Sequence, residues 1–242
     1  MSRPRHIVLV HGAWHGAWCF SALQSELDRR GVPSYALDLP GHGASTEPLG
    51  SFDDDVEAVR RFLGVLAGRG IPSPVLVGHS YGGAVVSAAA AEGASVDSLV
   101  YLAAFALHRG ESVMSAMGSF PRHEVALGAA IRMRDDGTSE LDPVLAGPAL
   151  YGCCSPATSL AAIERLTPQP MATMAAELAV SALGRLRSTY VVCSEDRAVH
   201  PAHQRIMAER CSDSVTLETD HSPFASMASK TADILENCAR RP

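Results

Sequence analysis

Ser80 stands between two glycines in Gly78-His79-Ser80-Tyr81-Gly82, a spacing that lets a hydroxyl act as a nucleophile. The apolar run Pro74-Val75-Leu76-Val77 leads into it, and the small residues Gly82-Gly83-Ala84 lead out. That context predicts a strand, a strained turn and a helix, with the serine raised above the sheet edge. Side chains at 78 and 82 would crowd such a turn. A serine hydroxyl is a poor nucleophile until an oriented base removes its proton. Of the ten histidines, His221 is the best placed, in Thr219-Asp220-His221-Ser222-Pro223 between the last short strand and the last helix. His6, His42, His108, His123, His200 and His203 read as loop or surface residues, His11 and His15 follow the first strand, and His79 lies within the turn. The orienting carboxylate should follow a strand between serine and histidine. Tyr190-Val191-Val192-Cys193 is such a strand, and Asp196 is preferred over its neighbour Glu195. A carbonyl oxygen gaining charge also needs preset donors. The N–H of Tyr81 and, after the first strand, the N–H of Ala13 are the candidates.

The elements that must position these groups alternate between short apolar runs and amphipathic stretches. Strands are predicted at His6–Val10, Ser34–Asp38, Pro74–Gly78, Val96–Ala103, Ser188–Cys193 and Val215–Leu217. Helices are predicted at Phe20–Arg30, from Phe52 through Leu66, at Gly82 to about Glu92, and from about Phe224 to Cys238. In the second of these, Phe52, Val56, Val59, Phe62, Leu63 and Leu66 recur at steps of three and four. Ser51 caps it, and Asp53, Asp54 and Asp55 face the positive end of its dipole. Strands apolar on both faces and separated by helices give the α/β class, with about six mainly parallel strands and right-handed crossovers. Residues 108–184 break the rhythm with six prolines and a polar turn at Asp135-Asp136-Gly137. They are expected to fold as a small, mostly helical cap on a core made of residues 1–107 and 185–242.

The 242 residues suit one such domain. At 47% hydrophobic and 19% charged, the chain has material for a large core. A net charge of −6, with Lys and Arg scattered, argues against nucleic acid and against anionic membranes as partners. No apolar run approaches the roughly 20 residues of a membrane span, and no signal peptide precedes the first strand. The six cysteines, none in C-x-x-C spacing, read as reduced thiols in a cytoplasmic protein. Metal ligation finds only the pairs His11/His15 and His200/His203, with no carboxylate to complete either, and no glycine-rich nucleotide motif occurs. Neither a metal nor a cofactor is expected.

The segment Val8-Leu9-Val10-His11-Gly12-Ala13-Trp14-His15-Gly16-Ala17-Trp18 resembles the methylesterase and hydroxynitrile lyase group of the α/β-hydrolases. So do the serine turn, Leu102-Ala103-Ala104-Phe105, Leu150-Tyr151, Cys154-Ser155-Pro156, the stretch Tyr190–Asp196 with Pro201 and Gln204, and Asp220-His221. The resemblance covers nearly the whole chain and is weakest over residues 112–144. It implies an α/β-hydrolase fold and favours Asp196 over Glu195. The lyases of that group carry threonine after the first-strand histidine and lysine after the catalytic one; here Gly12 and Ser222 stand in those places. That departure implies an esterase-type member. Asp38-Leu39-Pro40-Gly41-His42-Gly43 resembles the general hydrolase pattern more than the plant members.

The expectation is hydrolysis of a small, largely apolar carboxylic ester, a methyl ester among the options, through an acyl-enzyme. Met114, Met117, Met133, Met171, Met174, Leu145 and Leu150 are candidate pocket walls, with Gly12, Trp14, His15 and Ser222 nearer the chemistry. Methionine walls adapt to varied shapes. A lyase, cyclase or carbon–carbon bond hydrolase using the same pocket is the alternative, and a ligand receptor without turnover is a more distant one. The oligomeric state, a homodimer included, is left open.

Overall fold

Ile7–Val10 form the first strand, β1, buried on both faces. Val8 and Val10 point into one apolar cluster and Ile7 and Leu9 into another, so the sheet has a core on each side. The computed structural model describes residues 3–91 and 93–241. A 3-10 turn at Ala17–Phe20 leads into α1 (Ser21–Arg29), followed by β2 (Ser34–Leu37), α2 (Phe52–Gly68), β3 (Val75–His79), α3 (Gly82–Ala89) and β4 (Ser98–Leu102). After a long insertion come β8 (Arg187–Cys193), α9 (Pro201–Ala208), β9 (Asp213–Leu217), α10 (Pro223–Ser226) and α11 (Ala228–Arg240).

The six strands pair in the order β2-β1-β3-β4-β8-β9, and every pairing is parallel. The chain passes from β1 outward to β2 and then crosses to β3 on the other side of β1. The carboxyl ends of β1 and β3 therefore flank the switch point, where open parallel sheets bind ligands. The loop after β1 carries Ala13, and the turn after β3 carries Ser80.

Helix α2 starts at a capping box: the Asp54 N–H donates to Ser51 Oγ at 3.3 Å, and the Ser51 N–H donates to Asp54 Oδ2 at 2.8 Å. Its apolar stripe Phe52, Val56, Val59, Leu63 and Leu66 packs with α3 on one side of the sheet. Leu23 and Leu27 of α1 meet Ala232 and Leu235 of α11 on the other. Each such fully buried aliphatic side chain stabilises the fold by about 1.5–3 kcal/mol. The third predicted helix ends at Ala89, earlier than expected, and Glu92 lies outside the described residues. The last one is broken at Met227 (φ −134°) into α10 and α11.

The insertion between β4 and β8 holds α4 (Val113–Ser119), α5 (Ala126–Ala130), β5 (Ile131–Met133), β6 (Thr138–Leu141), α6 (Pro143–Leu150), α7 (Pro156–Ile163), β7 (Gln169–Pro170) and α8 (Ala172–Ala175). It is less purely helical than the sequence predicts, because β5, β6 and β7 form a small antiparallel sheet. The turn at Asp135-Asp136-Gly137 makes the β5–β6 hairpin. Gly137 takes φ +79°, and Asp136 Oδ1 accepts from the Thr138 N–H at 3.0 Å. Among the described residues, no helix is long and apolar enough to cross a membrane.

Candidate active site

Ser80 sits at the carboxyl end of β3 with φ +51°, a conformation that non-glycine residues rarely hold. The flanking glycines explain how. A Cβ on Gly78 would lie 2.5 Å from the Gly82 carbonyl oxygen, and one on Gly82 would lie 2.5 Å from that of His11. Both obstacles are backbone, so neither can swing aside. The turn is locked by two bonds to the Ser80 carbonyl, from the N–H groups of Gly83 and Phe105, each at 3.0 Å.

Those same bonds aim a donor. The Ser80 carbonyl and the Tyr81 N–H belong to one trans peptide and point in opposite directions. With the carbonyl held by Gly83 and Phe105, the Tyr81 N–H faces away from them. The loop after β1 works the same way. The Gly12 carbonyl accepts from His11 Nδ1 at 2.8 Å and from the His15 N–H at 3.3 Å, which turns the Ala13 N–H outward. His11 Nε2 accepts the Leu39 N–H at 3.0 Å, so its proton sits on Nδ1. Burial pushes His11 down to about 3 and keeps it neutral in that role.

Asp196 and His221 meet as a buried pair, His221 Nδ1 lying 2.7 Å from Asp196 Oδ2. Three more donors converge on this carboxylate: the Ala198 and Val199 N–H groups at 2.7 and 2.9 Å, and Gln204 Nε2 at 2.7 Å. Four donors to two oxygens suit a carboxylate and fix its plane. Glu195 is exposed to solvent and takes no part. The His221 backbone is held in turn, because His79 Nε2 donates to its carbonyl at 2.8 Å. Burial holds His79 well below the usual histidine range.

An apolar cavity of about 310 Å³ opens above Ser80. Ala13 and Tyr81, the candidate oxyanion donors, line it together with Trp14, Met114, Met117, Met171 and Met174, and Met114 is 46% exposed. Six candidates do not line it. Met133 is 62% exposed on the hairpin, and Leu145 lies at the outer surface of α6. Leu150 turns away from Ser80 into the cluster on the α1 side of the sheet, with Tyr151 and Ala162. His15 is buried beneath the loop, its Nδ1 donating to the Ala13 carbonyl and its Nε2 accepting from the Tyr151 hydroxyl, both at 2.8 Å. Ser222 is wholly buried. Gly12 acts by its lack of a side chain: a Cβ there would meet Ser80 Cβ at 2.8 Å.

The cavity walls that sequence reasoning missed are Phe105, Val113, Val125, Leu127, Gly128, Ile131, Ala198 and Val199. Asp55 stands in the first turn of α2 as expected, but sequence reasoning missed its burial. It is 2% exposed and receives the Tyr81 hydroxyl at 2.6 Å, so it does not simply balance a helix dipole. Its position three residues after Phe52 and four before Val59 puts an aspartate on the apolar stripe of α2, and that spacing was the available signal. Among the described residues, no cluster of three or more His, Cys, Asp or Glu is placed to hold a metal ion.

Comparison with known proteins gives a consistent pattern. The sequence pattern of the alpha/beta hydrolase family matches residues 7–234. The chain is 30% identical over 247 residues to the alpha/beta hydrolase nvfD of Aspergillus novofumigatus (strain IBT 16806), covering 96% of each. It is 26% identical over 248 residues to methylesterase 1 of Arabidopsis thaliana, covering 92% of this chain and 91% of that one. The crystal structure of a methylesterase from Arabidopsis has the same fold, with a TM-score of 0.80 at 24% identity over 97% of this chain and 98% of that one.

Proposed function

The chain belongs to the alpha/beta hydrolase family and is a carboxylesterase-type hydrolase, and from that premise we propose that it cleaves a small, apolar, uncharged carboxylic ester through an acyl-enzyme on Ser80. His221 Nε2 takes the hydroxyl proton as Ser80 Oγ attacks the ester carbonyl, and Asp196 holds the imidazolium that forms. The Ala13 and Tyr81 N–H groups receive the oxyanion. Collapse expels the alcohol with the proton from His221. A water, deprotonated by His221, then releases the acid and restores the serine. The insertion, residues 108–184, acts as the cap that shapes the acyl and alcohol sites.

The observation that carries this reading is a serine in a left-handed turn that opens on an apolar cavity, together with a buried histidine already paired with a carboxylate and bonded through its carbonyl to His79, the residue before that serine. The cavity favours a neutral ligand, since no charged side chain lines it among the described residues. Burying an unpaired charge there costs several kcal/mol. The same property helps expel the product, which leaves as a carboxylate. At about 310 Å³ the cavity is near the lower end of the 300–1,000 Å³ typical of small-molecule sites, which supports methyl and other short esters. With Gly12 and Ser222 in place of the lyase residues, no fixed positive charge awaits a cyanide leaving group. The six cysteines, all free, fit a cytoplasmic setting for the same enzyme.

A panel of p-nitrophenyl and methyl esters, assayed with wild type and Ser80→Ala, tests the proposal. Turnover of uncharged esters and fluorophosphonate labelling of Ser80 are expected. Ester turnover that survives Ser80→Ala would move the chemistry to another group.

A further inference from the structure

Behind the two oxyanion donors runs a chain of buried polar groups that the reaction scheme does not use. It begins at Asp55, in the first turn of α2, whose Oδ2 accepts the Tyr81 hydroxyl at 2.6 Å. Helix α8, which carries Thr173, packs against α2, which carries Asp55. Thr173 Oγ1 donates to the Pro170 carbonyl at 2.7 Å and accepts from Gln169 Nε2 at 2.9 Å. Gln169 Oε1 faces the Trp14 N–H at 3.4 Å. Asp55, Tyr81, Gln169 and Thr173 are each at most 2% exposed. The chain thus starts in a core helix, crosses to the insertion, and ends on the loop after β1. Its two contacts with the reaction machinery are Tyr81, which supplies one oxyanion donor, and Trp14, which follows the other.

Trp14 needs such support. It holds φ +62° without being a glycine, and its other bonds also run to the insertion. The Thr167 N–H donates to its carbonyl at 2.9 Å, and its indole Nε1 donates to Ser139 Oγ at 3.1 Å. A carboxyl buried on an apolar helix stripe is expensive, and among the described residues Asp55 has no salt-bridge partner.

We propose that Asp55 is a positioning residue: through the Tyr81 hydroxyl and the packing of α2 against α8 it locks the insertion onto both oxyanion donors, so that the closed cavity and the aligned donors form together. It touches neither substrate nor the reacting atoms. The inference rests on the ester-hydrolysis reading for its kinetic consequence, but its structural consequence can be read without any substrate.

Donor alignment matters in the transition state far more than in substrate binding, so the effect belongs in kcat. Kinetics are measured on an ester that wild type cleaves and normalised to the fraction of enzyme labelled to completion at Ser80. Asp55→Leu and Tyr81→Phe should each lower kcat about tenfold to a hundredfold with KM within about threefold. Asp55→Asn keeps an acceptor for the Tyr81 hydroxyl and should stay within about threefold of wild type in kcat. The double variant Asp55→Leu/Tyr81→Phe should be no worse than its poorer parent, since both cut one link. Amide hydrogen exchange over residues 80–84 and 167–175 should rise in Asp55→Leu or, should that protein not fold, in Tyr81→Phe, and should stay at the wild-type level in Asp55→Asn. Unchanged kcat in Tyr81→Phe, a loss confined to KM, an asparagine variant as poor as leucine, or unchanged exchange would each overturn the inference. A wild type that cleaves no ester removes the hydrolase reading instead, and the exchange result then decides the strut alone.

Discussion

Replacing Asp55 with asparagine should remove a pH dependence from the stability of the protein. Burial pushes the Asp55 carboxyl from 3.8 up to about 7; the Tyr81 hydrogen bond opposes that shift, and the neighbouring Asp54 charge adds to it. The folded chain therefore holds this proton up to about pH 7, while the unfolded chain releases it near 3.8. Folding takes up a proton in between, so the stabilising contribution is complete below the lower value and lost as pH rises through the upper one. Integrating those two values from pH 5 to pH 8 removes about 3 kcal/mol from the folded state. Asparagine is neutral throughout and loses nothing over that range. Buried His11, His15, His42 and His79 run the other way: their values are lowered, so they destabilise the fold as pH falls below about 6.5. Both proteins share that background, and it cancels in the difference. Urea unfolding followed by circular dichroism at pH 5, 6, 7 and 8 should show Asp55→Asn gaining on wild type by about 2–3 kcal/mol across the series. A difference constant to within about 0.5 kcal/mol would refute the reasoning, since it would mean that Asp55 titrates alike in both states.

Other consequences are as specific. Gly82→Ala places a methyl 2.5 and 2.6 Å from two backbone oxygens, those of His11 and Val10. It should cost about 3 kcal/mol and lower Tm by about 6–12 °C in a thermal scan. Asp196→Asn lets His221 take the wrong tautomer and sets an amide NH2 against donors that the carboxylate accepts, so kcat should fall about 10³–10⁴-fold and urea unfolding should show a stability loss of about 1–3 kcal/mol. Because the cavity lining carries no charge, a half-ester with a free carboxylate should show kcat/KM at least about a hundredfold below its neutral methyl analogue at pH 8.

How much of this the chain revealed beforehand depended on whether the signal was local. Strand β3 and the turn after it were legible, because Pro74–Val77, Gly78, Gly82 and the small residues of α3 each obey a short-range rule. The steric reading of the two glycines agrees with the backbone oxygens that surround them. The position of His221 in its loop followed from chain order along a parallel sheet, as did the strand preceding Asp196. The insertion obeyed no such rule. Strands β5 and β7 have three and two residues, and β5 is largely exposed, so alternation could not mark them. Among its methionines, Met133 and Met174 look equivalent in sequence, yet one is 62% exposed and the other 7%. Only tertiary packing separates them. Asp55 shows how one signal masks another: three consecutive aspartates at a helix start suit the dipole, and that hides the one that falls on the apolar stripe.

The most direct test of Ser80 as the nucleophile is to catch the intermediate. A p-nitrophenyl ester that wild type turns over is mixed with the enzyme, quenched in acid during the burst, and the protein is digested and weighed. The acyl mass should sit on the peptide that contains Ser80, and Ser80→Ala should carry none while losing about 10⁴–10⁶ in kcat. An acyl group on another residue, or an Ser80→Ala enzyme that keeps most of its turnover, would contradict the assignment.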